Sequence, residues 1–173
     1  MKQLTLLRHA KSSWNSSGLV DHDRPLSTRG ERDASEMGSR LFSRGTEPSL
    51  FLSSTAARAS TTTKKIVEVL NSSHKIIKTD RRLYLASHSD ILKLIREQED
   101  TISDLFIVGH NPGLTGLANH LLPDLRLENL PTTGIVAIES TAQKWSELSQ
   151  SSLSLLYYDY PKNMKSLPDK NSN

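Results

Sequence analysis

The tetrapeptide Leu105-Phe106-Ile107-Val108 sets four apolar residues in a row with no polar alternation. A strand with one wet face alternates, whereas a strand covered on both faces does not. An unbroken run of this kind therefore belongs inside a mostly parallel sheet with helices on either side. Leu4-Thr5-Leu6-Leu7 and Leu50-Phe51-Leu52 are shorter runs of similar character. Further strand-like runs fall near residues 75–79, 134–139 and 153–160, the last partly alternating.

Between these runs lie stretches with helical spacing. Thr28 and Glu31 read as a capping box opening a helix. Ala34, Met37, Gly38, Leu41 and Phe42 follow at i, i+3, i+4, i+7 and i+8 as one apolar face, with Gly45 as the stop. Ser53-Ser54-Thr55 can cap a second helix reaching about Asn71, with Ile66, Val69 and Leu70 inward. A third, around residues 90–97, turns Ile91, Leu94 and Ile95 to one side. Asn111 as N-cap and Pro112 as first helical residue start a fourth, buried through Leu114, Leu117, Ala118, Leu121 and Leu122. The expected fold is α/β: a three-layer α/β/α arrangement with a mostly parallel central sheet flanked by helices. The 173 residues suit one domain, spanning 1–161, followed by a loose polar tail at 162–173.

Three of the strands share a further design, in which the apolar run gives way to a reactive residue and then to a helix start. They deliver Arg8 and His9, Arg58, and His110. In open α/β sheets the carboxyl edge of the strands is where ligands bind. A neutral imidazole is a competent nucleophile near pH 7, and a guanidinium can grip two phosphate oxygens at once. Arg58, in the first turn of its helix, is disfavoured by the helix dipole, a cost that a bound anion offsets.

Composition narrows the class. The formal charge of +3 is spread along the chain and aromatics are 5%, so a nucleic-acid surface is not expected, although an anionic substrate is. The absence of cysteine removes disulfides, thiolate metal sites and a thiol nucleophile. No apolar run approaches a membrane span, so no membrane partner is expected and the default location is cytoplasmic, with the chain acting as a monomer.

Four segments, in order, carry a resemblance: Leu-Leu-Arg-His-Ala-Lys-Ser-Ser-Trp at 6–14, Asp-His-Asp-Arg-Pro-Leu-Ser-Thr-Arg-Gly at 21–30, Leu-Ser-Ser-Thr-Ala-Ala-Arg-Ala at 52–59 and Val-Gly-His-Asn-Pro-Gly at 108–113. The chain resembles the histidine phosphatase superfamily, with its phosphoglycerate-mutase-like fold, and within it the short phosphohistidine phosphatases of SixA type. The resemblance spans about Lys2 to Tyr160. It implies that His9 takes the phosphoryl group covalently, that Arg8 and Arg58 clamp its oxygens, and that His110 donates a further hydrogen bond. Ser12 and Asn15 match positions lining the phosphate pocket of mutase-type relatives, and Asn111 joins them as a candidate substrate contact. The resemblance implies no metal and no cofactor, since arginines supply the positive charge.

Two departures stand out. Ala10 replaces the usual glycine after the histidine. Where many relatives carry an acidic general acid, the natural register of Leu83-Tyr84-Leu85 places Leu85, and Asp80 could serve only in a shifted register. A phosphate ester needs its leaving oxygen protonated, whereas a phosphoramidate has a better leaving group. The expected substrate is thus phosphohistidine on a protein. The alternatives are a small phosphorylated metabolite or, in another class, a non-catalytic phosphate-binding module. Asp21, Asp23 and Arg24 either steady their loop or touch substrate, and Trp14 is expected as a packing anchor. His22, His74, His88 and His120 read as surface or local packing residues.

Overall fold

The computed structural model describes residues 1–15 and 17–164. Among them the chain runs β1 (Lys2–Arg8), α1 (Thr28–Ser43), β2 (Leu50–Ser54), α2 (Ala57–Val69), β3 (Ile77–Asp80), α3 (His88–Arg96), β4 (Asp104–Gly109), α4 (Gly113–Leu121), β5 (Ile135–Ser140) and β6 (Leu153–Asp159). The sheet order is β3-β2-β4-β1-β5-β6. β1 through β4 are mutually parallel, and the two last strands add as an antiparallel flank. The expected layered α/β fold with a mostly parallel sheet is the fold observed.

Helices cover both faces, and each face has its own core. Leu4, Leu6, Leu105 and Ile107 point to the side where Ile91, Leu94, Leu114 and Leu117 of α3 and α4 pack. Leu7, Phe51, Phe106 and Val108 point the other way, onto Met37 and Leu41 of α1 and Ile66 and Val67 of α2. β4 is therefore buried on both faces, as its unbroken apolar run requires.

Local details differ from the sequence reading. The cap of α1 is Ser27, whose Oγ accepts from Gly30 N at 3.1 Å, rather than Thr28 with Glu31. Phe42 is 56% exposed and lies off the buried stripe; in α2 Ile66 and Leu70 are buried as expected and Val67 joins them, while Val69 is half-buried against Gly38 of α1. α4 starts at Gly113, one residue late. Asn111 nonetheless caps it from outside, its Oδ1 accepting from Thr115 N at 3.2 Å and Thr115 Oγ1 at 2.9 Å. The expected loose tail begins tethered: Arg40 donates to the carbonyls of Pro161 and Asn163. Residues 165–173 of that tail lie outside the described residues. Among the described residues no helix is long and apolar enough to cross a membrane.

Candidate active site

β1, β2 and β4 are adjacent and parallel, so their carboxyl ends open on the same edge of the sheet. β1 ends at Arg8 and hands on to His9. β2 ends at Ser54, three residues before α2 brings Arg58 into its first turn. β4 ends at Gly109 and hands on to His110. The pairing of Arg8 with Gly109 sets His9 and His110 side by side, with ring centroids 5.1 Å apart. Arg58 Nε reaches to 3.4 Å from His9 Nε2. The four residues singled out in the sequence converge.

The tautomer of His9 follows from its partners. Nδ1 lies 2.7 Å from the carbonyl oxygen of Ala10. A carbonyl can only accept, so Nδ1 carries the proton and Nε2 presents its lone pair. The ring is 8% exposed, and this burial pushes its pKa from 6.5 down to about 4, with Arg58, Arg8 and Arg24 adding to the fall and the Ala10 bond opposing it. At neutral pH His9 is therefore an uncharged imidazole whose Nε2 lone pair accepts from Arg58 Nε at 3.4 Å. The strand end itself is pinned by Ala10 N donating to Thr62 Oγ1 at 2.9 Å, while Thr62 donates to Arg58 O, so one threonine ties the histidine loop to the arginine turn. Gly30 makes room for this loop, since a Cβ there would meet Lys11 O at 2.0 Å.

His110 is 2% exposed, and burial first, then His9 and Arg58, lowers its pKa to about 3. Its Nε2 lies 2.8 Å from Ser54 Oγ, and that oxygen accepts from Ala56 N at 3.2 Å. The expected cap of α2 by Ser53-Ser54-Thr55 is not formed: the N-cap is Ala56, without a side-chain bond, and Ser54 Oγ serves His110 instead. Among the described residues His110 Nδ1 is buried without a partner, as are Arg8 Nε and Thr133 Oγ1. Arg8 donates through Nη1 to Leu130 O at 3.0 Å, and burial together with Arg58 lowers its pKa. Thr133, at φ 60°, donates its N–H to the carbonyls of both Arg8 and His9. Three unpartnered polar atoms thus belong to the same neighbourhood, and unsatisfied buried groups of this kind point to something that arrives to meet them.

The loop before α1 closes the site. A short 3₁₀ turn at Asp21–Asp23 sets Asp21 against Arg58, which donates Nη1 to Asp21 O at 2.7 Å and Nη2 to Asp21 Oδ2 at 3.0 Å. Tyr84 Oη donates to the same Oδ2 at 2.5 Å, and Arg24 Nη1 donates to Oδ1 at 2.9 Å. The Tyr84 hydroxyl foremost, then Arg58 and Arg24, hold the Asp21 carboxyl down to about 2. Tyr84 stands edge-on to His110 and to His22, with centroids 5.5 and 4.9 Å away, and His22 Nε2 reaches Thr55 Oγ1 at 2.9 Å. Of the two readings open for Asp21, Asp23 and Arg24, the contacts observed are those that steady the loop: Arg24 bonds Asp21, Ser12 and Ser13 O, Asp21 ties the loop to Arg58, and Asp23 Oδ1 lies 3.1 Å from His22 Nδ1. Tyr84 was not singled out from the sequence, although it adjoins the position where an acid was sought.

The remaining candidates are placed as follows. Ser12 is buried and accepts from Arg24 Nη2. Asn15 is exposed, with its backbone N–H on Ser13 Oγ. The Asn111 amide donates to Asn129 Oδ1 and Leu130 O, both at 2.9 Å, and so braces the segment that holds Arg8. Trp14 is no packing anchor: it is 75% exposed, and its ring lies flat under the Arg24 guanidinium at 3.4 Å. Leu85 is exposed at φ 51°. Asp80 is held below its usual pKa by Arg82, to which it is bonded through both oxygens, so it stays ionised and is a poor proton donor. Among the described residues no group of three or more His, Asp or Glu comes together to hold a metal ion.

The sequence profile of the histidine phosphatase superfamily (branch 1) matches residues 4–84. An uncharacterized chloroplastic protein of Arabidopsis thaliana is 32% identical over 157 residues, covering 84% of this chain and 70% of its own. A solved structure assigned as phosphohistidine phosphatase SixA from Agrobacterium tumefaciens superposes with a TM-score of 0.78 at 26% identity, covering 92% of this chain and 99% of its own. Another so assigned, from Nakamurella multipartitia, gives 0.74 at 25% identity over 93% and 96% of the two chains.

Proposed function

The chain belongs to the histidine phosphatase superfamily, and from that premise we propose that its phosphatase activity is directed at phosphohistidine carried on a protein, through a phosphorylated His9. The observation that supports this most is the state of His9: neutral, with Nδ1–H fixed on Ala10 O and Nε2 facing Arg58 Nε at 3.4 Å. Nε2 attacks phosphorus in line and the bond from phosphorus to the substrate nitrogen breaks. Arg8 and Arg58 hold the oxygens, and His110 Nδ1 donates to the charge that builds on them. Water then attacks phosphorus, releasing phosphate and returning His9 with its lone pair free. No metal takes part in this scheme, because the guanidiniums supply the positive charge.

The preference for nitrogen over oxygen as leaving atom rests on the missing acid. Asp80 is locked to Arg82 and Asp21 is ionised down to about pH 2, so neither holds a proton to give at neutral pH. A phosphohistidine protonated on its other ring nitrogen departs as neutral imidazole and needs none. An ester lacking such help forgoes roughly 10²–10⁴-fold in rate. The structural relatives assigned as SixA phosphohistidine phosphatases agree with this preference.

The test compares a phosphohistidine protein with a panel of sugar, nucleotide and seryl phosphates, using wild type and His9→Ala, with EDTA present throughout. Fast release from phosphohistidine and an acid-labile, alkali-stable phosphoryl label on His9 are expected. Fast ester hydrolysis without phosphohistidine turnover replaces the protein substrate by a metabolite. Phosphate binding with no label on His9 leaves only a binding module.

A further inference from the structure

Arg58 has two edges from which to grip an anion: the end, formed by Nη1 and Nη2, and the side, formed by Nε and Nη2. Asp21 fills the end, since its backbone oxygen takes Nη1 at 2.7 Å and its carboxylate takes Nη2 at 3.0 Å. The side edge, marked by Nε, is the one turned toward His9 Nε2. A guanidinium is planar and rigid, so fixing one edge with two bonds fixes the direction of the other. The carboxylate doing this is itself held from two more directions, by Tyr84 Oη and Arg24 Nη1, and Arg24 is in turn sandwiched between Ser12 and the Trp14 ring. Elements far apart in sequence thus converge on one aspartate whose side chain is 45% exposed and which carries no part of the core.

We infer that Asp21 is a positioning residue, which aims the side edge of Arg58 at the space beside His9 and so presets the clamp for the phosphoryl oxygens. This deepens the phosphatase reading and rests on it for the identity of the group being clamped. The rival on the same geometry is a plug, in which Asp21 occupies Arg58 until an incoming anion displaces it. The two make opposite predictions. An aimed clamp loses affinity and rate when Asp21 is neutralised, whereas an unplugged one gains them.

The experiment measures orthovanadate binding by calorimetry, a readout that does not depend on knowing the substrate, beside kcat and KM on whichever substrate wild type turns over. Asp21→Asn keeps size and one acceptor but drops the charge. Vanadate affinity and kcat are each expected to fall about 10- to 100-fold, the scale of a misplaced catalytic group, with KM moving less. Arg58→Lys removes the fork, and in that background Asp21→Asn is expected to add less than about 3-fold, because pairs acting through one group are not additive. Asp21→Glu, which can restore the bond to Nη2, recovers part of the loss. Thermal unfolding of each variant controls for folding. Tighter vanadate binding in Asp21→Asn, or an equal loss with and without Arg58, overturns the inference. A wild type that binds vanadate but turns over no phosphorylated substrate overturns the phosphatase reading instead, while the binding series still decides the role of Asp21.

Discussion

One cluster of arginines is built around α1 and another around the start of α2, and they follow opposite plans. Arg40, 6% exposed, donates to Glu36, to Asp159 and to the carbonyls of Tyr160, Pro161 and Asn163, while Arg44 takes the second oxygen of Asp159, which is fully buried. Positive meets negative there, and the guanidinium of Arg40 is surrounded by acceptors. Arg58, 4% exposed, shares its surroundings with Arg8, Arg24 and two neutral histidines, against the single carboxylate of Asp21. Among the described residues Arg8 Nε and His110 Nδ1 have no hydrogen-bond partner. Burial of charge alone does not distinguish a site from a strut. Unmet donors and uncompensated positive charge do, because both are relieved only when an anion enters.

The sharpest way to break this contrast is to remove the nucleophile. His9→Ala is expected to lower turnover by at least about 10⁴-fold, the scale seen when a covalent catalyst is deleted, and to abolish the phosphoryl label while leaving the protein folded. Asp159→Asn is its mirror: a cost of about 3–5 kcal/mol in denaturant unfolding, because Arg40 keeps its charge and loses its buried partner, with kcat per folded molecule unchanged. A stable Asp159→Asn protein with impaired catalysis would erase the distinction between strut and site.

Arg8→Ala comes next. Loss of one of the two oxygen clamps is expected to cost about 10²–10³-fold in kcat/KM, comparable to removing an oxyanion donor. The melting temperature should hold or rise, since a half-buried cation with an unpartnered Nε disappears. Acid acts on the same cluster. His9 and His110 have folded pKa values near 4 and 3 against 6.5, so the unfolded chain binds more protons between those values and stability falls as pH drops below 6.5. Asp21 adds to the same acid loss, its bond network's contribution being lost as pH falls from 3.8 through about 2. Catalysis keeps a neutral His9 down to about pH 4, so kcat/KM has no acid limb from this group between pH 5 and 7. A kinetic pKa near 6.5 assigned to His9 would contradict its burial.

The strands and the four central residues were legible because their signals are local or ordered along the chain: unbroken apolar runs for β1, β2 and β4, and reactive residues at their ends. Pairing of neighbouring parallel strands then forces Arg8, His9 and His110 together. What sequence did not reveal depends on contacts across long separations. Asp21 meets Tyr84, 63 residues away, and nothing in either segment's periodicity announces it. Trp14 looked like core because it is large and apolar, yet Arg24 offers its flat face and the ring stays at the surface. Asn111 carries the right chemistry for substrate, but Asn129, Leu130 and Thr115 occupy its amide. The antiparallel flank was equally silent, since strand direction is not written in composition.

Asp104 supplies the smallest and most discriminating test. It opens β4 at the far edge of the sheet from His9, its Oδ1 is buried without a partner, and it lines a cavity of about 570 Å³ with Gln3, Thr5, Arg44 and Tyr157. It shares the unmet bond of the active-site groups, but among the described residues no second orphaned group and no nucleophile lies beside it. Burial raises its pKa from 3.8 to about 7, so the folded state holds a proton that the unfolded chain has lost, and stability declines as pH rises from 3.8 through 7. Asp104→Asn has no such decline. It is expected to gain about 1 kcal/mol over wild type at pH 8 and to lose that advantage at pH 4, measured by urea unfolding, with kcat/KM unchanged. If the variant instead crippled turnover, an orphaned polar atom would mark function wherever it occurs. If it changed only the pH dependence of stability, convergence of several such atoms on one strand edge is what separates the site from an isolated defect.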